Sequence, residues 1–184
     1  MEMRTLGKTG LKVSRLGVGL SEIRSVEVSQ VAAVLNAALD AGINFLDTSA
    51  CYSNSEELIG RTASQRRDEF ILATKAGHIT GGYEGEAWTA ATVRDSIDRS
   101  LKRLQTDHLD IIQLHTCSVE VLERGEVIEV LQNAKQAGKT RAIGYSGDNA
   151  GALWAVESGL FDTLQTSFNL VDQNARLNLF EPAV

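Results

Sequence analysis

The alternation of short apolar segments with longer amphipathic ones is the feature that most narrows the possible folds of this chain. Six segments of six to eight residues are largely apolar rather than strictly alternating, as expected of strands covered on both faces. They comprise residues 15–20, 44–49, 70–75, 109–115, 141–146 and 163–170. Because helical patterns separate them, the sequence predicts a parallel sheet with right-handed helical crossovers.

The segments between these strands show helical periodicity, and three of them are followed by a glycine suited to a C-terminal cap. The helical segments and their glycines are residues 28–39 (Gly42), 93–104, 126–137 (Gly138) and 149–157 (Gly159). Ahead of the first strand, residues 4–13 predict a β-hairpin that turns on Gly7 and Gly10.

Two parallel architectures fit this order of elements: an open doubly wound sheet and a (β/α)8 barrel. An open sheet usually carries a glycine-rich phosphate loop after its first strand. Here that position, residues 17–22, reads GVGLSE, so Glu22 replaces the third glycine, and no GxxxxGK[ST] motif occurs. The open sheet is therefore disfavoured.

Length, charge and cysteine content exclude several classes of protein. The 184 residues fit one domain, and the charge of −6 without a basic stripe argues against a nucleic-acid partner. No run of 18 apolar residues and no apolar signal core occur, so we expect neither a membrane partner nor export. Cys51 and Cys117 do not have the spacing of metal ligands, so we expect no metal site. As two free thiols, they also predict a cytoplasmic location.

Residues able to do chemistry gather at the carboxyl ends of the predicted strands, where parallel α/β folds place their sites. They are Asp47, Lys75, His115 and Ser146, with Tyr52 in the turn after the second strand. Each has an ordinary structural role when taken singly, such as helix cap, rim residue or packing histidine. Their shared position favours a common site, because Asp47 would neutralise a lysine that is costly to bury unpaired.

These residue types suit the reduction of a carbonyl group. We expect the ammonium of Lys75, held by Asp47, to lower the pKa of the Tyr52 phenol from its usual value of about 10. The imidazole of His115 can donate a hydrogen bond to the carbonyl oxygen of a substrate. A cofactor would supply the hydride.

Residues 42–60, GINFLDTSACYSNSEELIG, resemble the first signature of the aldo-keto reductases. Residues 73–75 (ATK) resemble that family's lysine strand, and residues 113–115 (QLH) its histidine strand. The resemblance implies a (β/α)8 TIM-type barrel, closed underneath by the N-terminal hairpin, and NADP(H)-dependent reduction of an aldehyde or ketone, or the reverse. It implies four catalytic residues, with the tyrosine as general acid: Asp47, Tyr52, Lys75 and His115.

The resemblance also implies contacts with the cofactor. Ser146 and Gln165 would hydrogen-bond the nicotinamide carboxamide, and Asp47 would lie near the nicotinamide ribose. The chain departs from the family's pattern at Gly147, where an asparagine often follows the serine, so one amide contact is lost or displaced. Ser53 stands in place of the glycine after the catalytic tyrosine, a milder change.

The resemblance covers essentially the whole chain and stops after the sixth strand. Residues 1–184 would therefore form a single barrel domain with about six βα units, lacking the last two. In the family, those units supply the aromatic residue that stacks on nicotinamide and the basic residues that bind the adenosine phosphate. We therefore expect weak NADPH binding. We also expect open sheet edges that allow self-association.

Two other hypotheses stay open beside an enzyme that acts on a small carbonyl or alcohol. One is a truncated, non-catalytic member of the family that serves as a binding module. The other is an unrelated barrel enzyme that forms a Schiff base on Lys75, which the absence of a substrate-phosphate loop leaves without support.

Overall fold

A computed structural model describes residues 1–80 and 83–183 of the chain. Its main sheet has six parallel strands: β3 (Gly17–Gly19), β4 (Phe45–Asp47), β5 (Ile71–Ala76), β6 (Leu109–His115), β7 (Thr140–Ser146) and β8 (Thr163–Gln165). The strands are neighbours in the order in which they follow along the chain. This order is that of a barrel, because a doubly wound sheet reverses its order at a switch point.

The crossovers between the strands are helical. The helices are α1 (Val28–Asp40), α2 (Ser55–Ala63), α3 (Ala90–Leu104), α4 (Val119–Arg124), α5 (Glu126–Gln136), α6 (Asn149–Ser158) and α7 (Asn174–Asn178), with 3-10 turns at Ile23–Ser25 and Ser64–Glu69. The four helices predicted from periodicity are confirmed. The sequence did not predict α2, since its buried face includes the polar residues Ser55 and Glu56, which interrupt the apolar pattern.

The predicted N-terminal hairpin is also confirmed. Strands β1 (Met3–Thr5) and β2 (Lys12–Ser14) pair antiparallel, and Gly7 and Gly10 both adopt positive φ. Leu11 and Val13 of this hairpin pack against inward-facing residues of the main sheet, namely Ala73, Ile111 and Ala142. The hairpin therefore closes the end of the sheet opposite the carboxyl ends of its strands.

The strand register arranges the inward-facing side chains in layers. Successive residues of a strand point to opposite faces, so every second residue shares the interior with the aligned residue of the next strand. Above the apolar layer against the hairpin lies a second layer of Lys75, Gln113, Gly144 and Thr163. The outermost layer, at the carboxyl ends, contains His115, Ser146 and Gln165.

The sheet curls far enough to bring distant strands together. Nε2 of Gln165 on β8 donates to Oδ2 of Asp47 on β4 over 3.2 Å, although three strands separate these two in the sheet. Within the described residues, β3 and β8 each pair on one side, so the sheet is a curled part of a barrel. Self-association through these edges stays a prediction.

The sixth strand is shorter than predicted. The sequence predicts a strand over residues 163–170, but β8 ends at Gln165. Beyond it, the carboxylate of Asp148 accepts hydrogen bonds from the hydroxyls of Thr166 and Ser167 and from the backbone N–H of Ser167. These bonds hold the segment against the start of α6 instead of in the sheet, and Leu170 is 98% exposed.

In the part of the chain that the structure describes, none of the helices has both the length and the apolar character needed to cross a membrane. Over the same residues, no group of three or more His, Cys, Asp and Glu side chains is placed to hold a metal ion.

Candidate active site

A buried ion pair lies at the centre of the site. Nζ of Lys75 donates to both carboxylate oxygens of Asp47 and to the backbone oxygen of Thr48, each over 2.8 Å. The Lys75 side chain is 1% exposed and that of Asp47 is 18% exposed. All three N–H donors of the ammonium are therefore used, and the predicted pairing of the two charges is confirmed.

Tyr52 lies over this ion pair. Nζ of Lys75 is 5.1 Å from the centroid of the Tyr52 ring, a cation–π distance. The His115 ring meets the tyrosine edge to face, with 6.0 Å between the centroids. The structure thus brings together the four residues that the resemblance assigned to catalysis.

The turn that carries Tyr52 is held at both ends. The hydroxyls of Thr48 and Ser55, which flank the turn, lie 2.8 Å apart, and Ser55 also donates to the backbone oxygen of Leu20 on the neighbouring crossover. Both of these side chains are buried. Next to the tyrosine, Ser53 has a φ of +50°, a left-handed conformation that favours glycine and costs another residue about 1–2 kcal/mol.

The effect of this environment on the tyrosine differs from the sequence-based expectation. The sequence predicts that the ammonium lowers the pKa of the Tyr52 phenol, but that pKa is raised, first by burial and then by the negative charge of Asp47 and by Cys51. The reason is geometric: Lys75 directs its N–H groups at Asp47 and Thr48 and faces the ring instead of the phenol oxygen. Tyr52 therefore stays protonated at neutral pH.

His115 is neutral at the same pH. Burial lowers its pKa to about 4, and the positive charge of Lys75 and the proximity of His78 add to the shift. Its Nδ1 lies 3.2 Å from the Ser49 hydroxyl and 3.4 Å from the Cys51 sulfur. Protonated phenol and neutral imidazole together provide two uncharged hydrogen-bond donors at one place.

The residues assigned to the cofactor stand beside this group. Ser146 is paired in register with His115 on one side and with Gln165 on the other, and Gln165 reaches Asp47. A hydroxyl and an amide at adjacent strand ends match the donor and acceptor atoms of a carboxamide, and a carboxylate matches a ribose hydroxyl. The donor set at this mouth of the sheet therefore fits the nicotinamide half of a dinucleotide.

Steric crowding explains why a glycine, and not a larger residue, occupies position 147. A Cβ atom there would lie 2.9 Å from the ring of Tyr145, whose hydroxyl is fixed by a 2.8 Å bond to the backbone oxygen of Cys117. The same hydroxyl would lie 2.2 Å from a Cβ at Gly151. The buried tyrosine thus takes the space that a side chain at position 147 would need.

His78 is a member of the site that the sequence did not predict, since it stands in the segment after the lysine strand without any signal of its own. Its ring lies edge to face with His115 at 5.0 Å and with Trp88 at 4.8 Å. Trp88 in turn covers Gly77, where a Cβ would lie 1.8 Å from the indole. These rings form one wall beside Tyr52 and His115.

This wall predicts a large effect of Gly77→Ala. Gly77 has a φ of +120°, and the added methyl group would also displace Trp88. We expect a loss of about 2–5 kcal/mol, combining the conformational cost with that of overpacking. Urea unfolding measures the loss, and tryptophan fluorescence in a Trp154→Phe background reports the displacement of Trp88.

Gly125→Ala is the matched control, because Gly125 has a φ of +76° and no atom lies within 4 Å of the position that its new methyl group would take. Its free energy of unfolding should fall only by the conformational cost of the positive φ, about 1–2 kcal/mol, with no change in Trp88 fluorescence. Equal losses of stability in the two variants would show that Trp88 does not pack against Gly77.

The family of the chain follows from its likeness to known proteins. The sequence model of the aldo/keto reductase family matches residues 15–183. L-galactose dehydrogenase of Arabidopsis thaliana is 40% identical over 158 residues, covering 80% of this chain and 49% of the relative. The 6-dehydroglucose reductase of Novosphingobium aromaticivorans is 33% identical over 177 residues, 89% of this chain and 57% of the relative.

Solved structures agree with these sequence matches. The holo form of aldo-keto reductase AKR11C1 from Bacillus halodurans superposes with a TM-score of 0.88 at 28% identity. The match covers 100% of this chain and 64% of that one, and the chain spans about half the length of the curated relatives it matches. On the family match and these relatives, the chain belongs to the aldo-keto reductase family.

Proposed function

We propose that this chain carries the catalytic face of an NADP(H)-dependent reductase that converts an aldehyde or ketone to an alcohol, or the reverse. The observation that carries the proposal is the cluster of Tyr52, neutral His115 and the buried Lys75–Asp47 pair at one mouth of the sheet. Family membership supports oxidoreductase chemistry at this face.

In the proposed reaction, His115 and Tyr52 both act on the carbonyl oxygen of the substrate. His115 donates a hydrogen bond that orients the carbonyl and stabilises the negative charge developing on its oxygen. Tyr52 transfers its phenolic proton to that oxygen as general acid. The raised pKa of Tyr52 suits this direction, since the phenol carries its proton throughout the neutral range.

Lys75 and Asp47 have a supporting role in this scheme. The ammonium lies against the face of the Tyr52 ring and holds the ring in place by a cation–π contact. Asp47 holds the ammonium in place with both carboxylate oxygens. This arrangement fixes the position of the tyrosine ring, while the phenol keeps its proton until the carbonyl oxygen accepts it.

The cofactor would be held by Ser146, Gln165 and Asp47. Ser146 and Gln165 offer hydrogen bonds to the carboxamide, and Asp47 offers its carboxylate to a ribose hydroxyl. The reduced nicotinamide, when bound, supplies the hydride. The names of two relatives add sugars to the compounds worth testing beside simple aldehydes: an aldose as a compound to be oxidised, and a sugar carbonyl compound as one to be reduced.

The cofactor assignment predicts an unusual affinity pattern for the 184-residue polypeptide. All three residues assigned to the cofactor face its nicotinamide half, so NADPH should bind weakly. The dissociation constants of NADPH and of reduced nicotinamide mononucleotide should agree within about 10-fold, a ratio that corresponds to about one net hydrogen bond. Fluorescence titration of both ligands measures the ratio. A sub-micromolar dissociation constant for NADPH would contradict this prediction.

A Gln165→Leu variant provides the control for specific binding. It removes the amide that reaches Asp47 and should weaken both ligands by the same factor. If it weakened neither, Gln165 would not be a cofactor residue.

The proposed function itself is tested by following the absorbance of NADPH with an aromatic aldehyde and with a sugar that carries an oxidised, carbonyl-bearing carbon. We expect oxidation of NADPH that depends on the carbonyl compound. Binding of NADPH without any turnover on either substrate would favour the non-catalytic binding module instead.

A further inference from the structure

The Nδ1 atom of His115 faces a small group of polar atoms at the end of β4. Ser49, which is 1% exposed, places its Oγ 3.2 Å from this nitrogen. The sulfur of Cys51 lies 3.4 Å from the same nitrogen and 3.2 Å from the Ser49 hydroxyl. Ser49 therefore stands between the turn that carries Tyr52 and the ring of His115.

The other hydrogen bonds of Ser49 leave its hydroxyl hydrogen available to His115. Its Oγ accepts the backbone N–H of Cys51 over 3.3 Å. A hydroxyl donates one hydrogen and accepts at its lone pairs, and an O–H is a stronger donor than an S–H. With the Cys51 N–H bound at a lone pair, the serine hydrogen is free to point at Nδ1 of His115.

The other neighbours of His115 do not compete for this nitrogen. The three N–H groups of Lys75 are used by Asp47 and Thr48. Tyr52 and His78 meet the imidazole through ring contacts, edge to face. A neutral imidazole whose Nδ1 accepts a hydrogen bond carries its single proton on Nε2.

We propose that Ser49 is a positioning residue that holds His115 in the tautomer protonated at Nε2. The catalytic meaning of this tautomer rests on the proposed function, because the carbonyl oxygen then meets an N–H donor at Nε2 instead of a lone pair. The tautomer itself is a property of the resting protein and is measured without substrate or cofactor.

The test is ¹⁵N NMR of the histidine rings in the 184-residue protein near neutral pH. In the wild type, Nδ1 of His115 shows the shift of an unprotonated nitrogen and Nε2 that of a protonated one. Ser49→Ala lowers the ratio of the Nε2-protonated to the Nδ1-protonated tautomer about 2- to 12-fold, the factor that one net hydrogen bond supplies. The chemical shifts of the two nitrogens then move toward each other. The substitution only removes an oxygen, so it introduces no new steric contact.

Cys51→Ala is the matched control, since it removes the other side chain near Nδ1 while keeping the backbone N–H that orients Ser49. It should leave the His115 spectrum as in the wild type. A protonated Nδ1 in the wild type, an unchanged spectrum in Ser49→Ala, or a shift in Cys51→Ala alone would overturn the proposal.

The readout also separates this inference from the proposed function. The expected tautomer in a protein that turns over no carbonyl compound would support the role of Ser49 and refute the reductase. Turnover of a carbonyl compound by a protein whose His115 is protonated at Nδ1 would support the reductase and refute the role of Ser49.

Discussion

Tyr52→Phe lowers kcat for carbonyl reduction by about 10²- to 10⁴-fold, the usual contribution of a positioned general acid. The substitution removes one hydroxyl and leaves the ring that packs on Lys75 and His115. Binding of NADPH should change little, because the assigned cofactor residues are others. Steady-state kinetics at saturating NADPH, with a parallel binding titration, measures both quantities.

The pH profile adds an independent check on the same residue. The pKa of Tyr52 is raised above its ordinary value of 10, so the acid form is present through neutral pH and is lost only as the pH rises past that raised pKa. Wild-type reduction should therefore stay free of a tyrosine ionisation up to at least about pH 10, and the residual rate of Tyr52→Phe should lack one altogether. A wild-type ionisation near neutral pH assigned to Tyr52 would contradict the account.

Lys75→Met destabilises the protein by about 3–5 kcal/mol, the cost of leaving a buried partner charge unpaired. The variant leaves the carboxylate of Asp47 without its cation and the backbone oxygen of Thr48 without its donor. At about 2–4 °C per kcal/mol for a chain of this length, Tm falls by roughly 6–20 °C. Urea and thermal unfolding followed by circular dichroism measure the loss.

The double variant Asp47→Asn with Lys75→Met is the matched control. It removes both charges, so much of the loss should be recovered, with a coupling energy of about 1–3 kcal/mol. A loss under about 1 kcal/mol in Lys75→Met, or strictly additive effects of the two substitutions, would show that the pair is not buried as the structure has it.

Much of the architecture follows from local sequence patterns. Apolar runs with glycine-capped helices between them predict the parallel strands, and the positions of Asp47, Lys75 and His115 at strand ends predict a common site. This works because parallel strands point the same way, so residues that end successive strands meet at one edge of the sheet. The confirmed ion pair between β4 and β5 is a direct consequence.

What the sequence did not predict depends on contacts between segments that are distant along the chain. The early end of β8 results from hydrogen bonds to Asp148, which precedes the strand by a whole helix. The raised pKa of Tyr52 results from its burial in the folded chain and from the nearby negative charge of Asp47. Neither periodicity nor spacing carries this information, and the same holds for the contact of Ser49 with His115, 66 positions apart.

The most direct test of the account is the transfer of deuterium to benzaldehyde from NADPH that carries two deuterium atoms at C4 of the nicotinamide. At an NADPH concentration that saturates binding, the protein should yield benzyl alcohol with deuterium on the carbinol carbon, and Tyr52→Phe at least about 100-fold less. Unlabelled alcohol, no alcohol despite bound NADPH, or equal transfer by both proteins would contradict the claim that this face of the sheet reduces carbonyl groups.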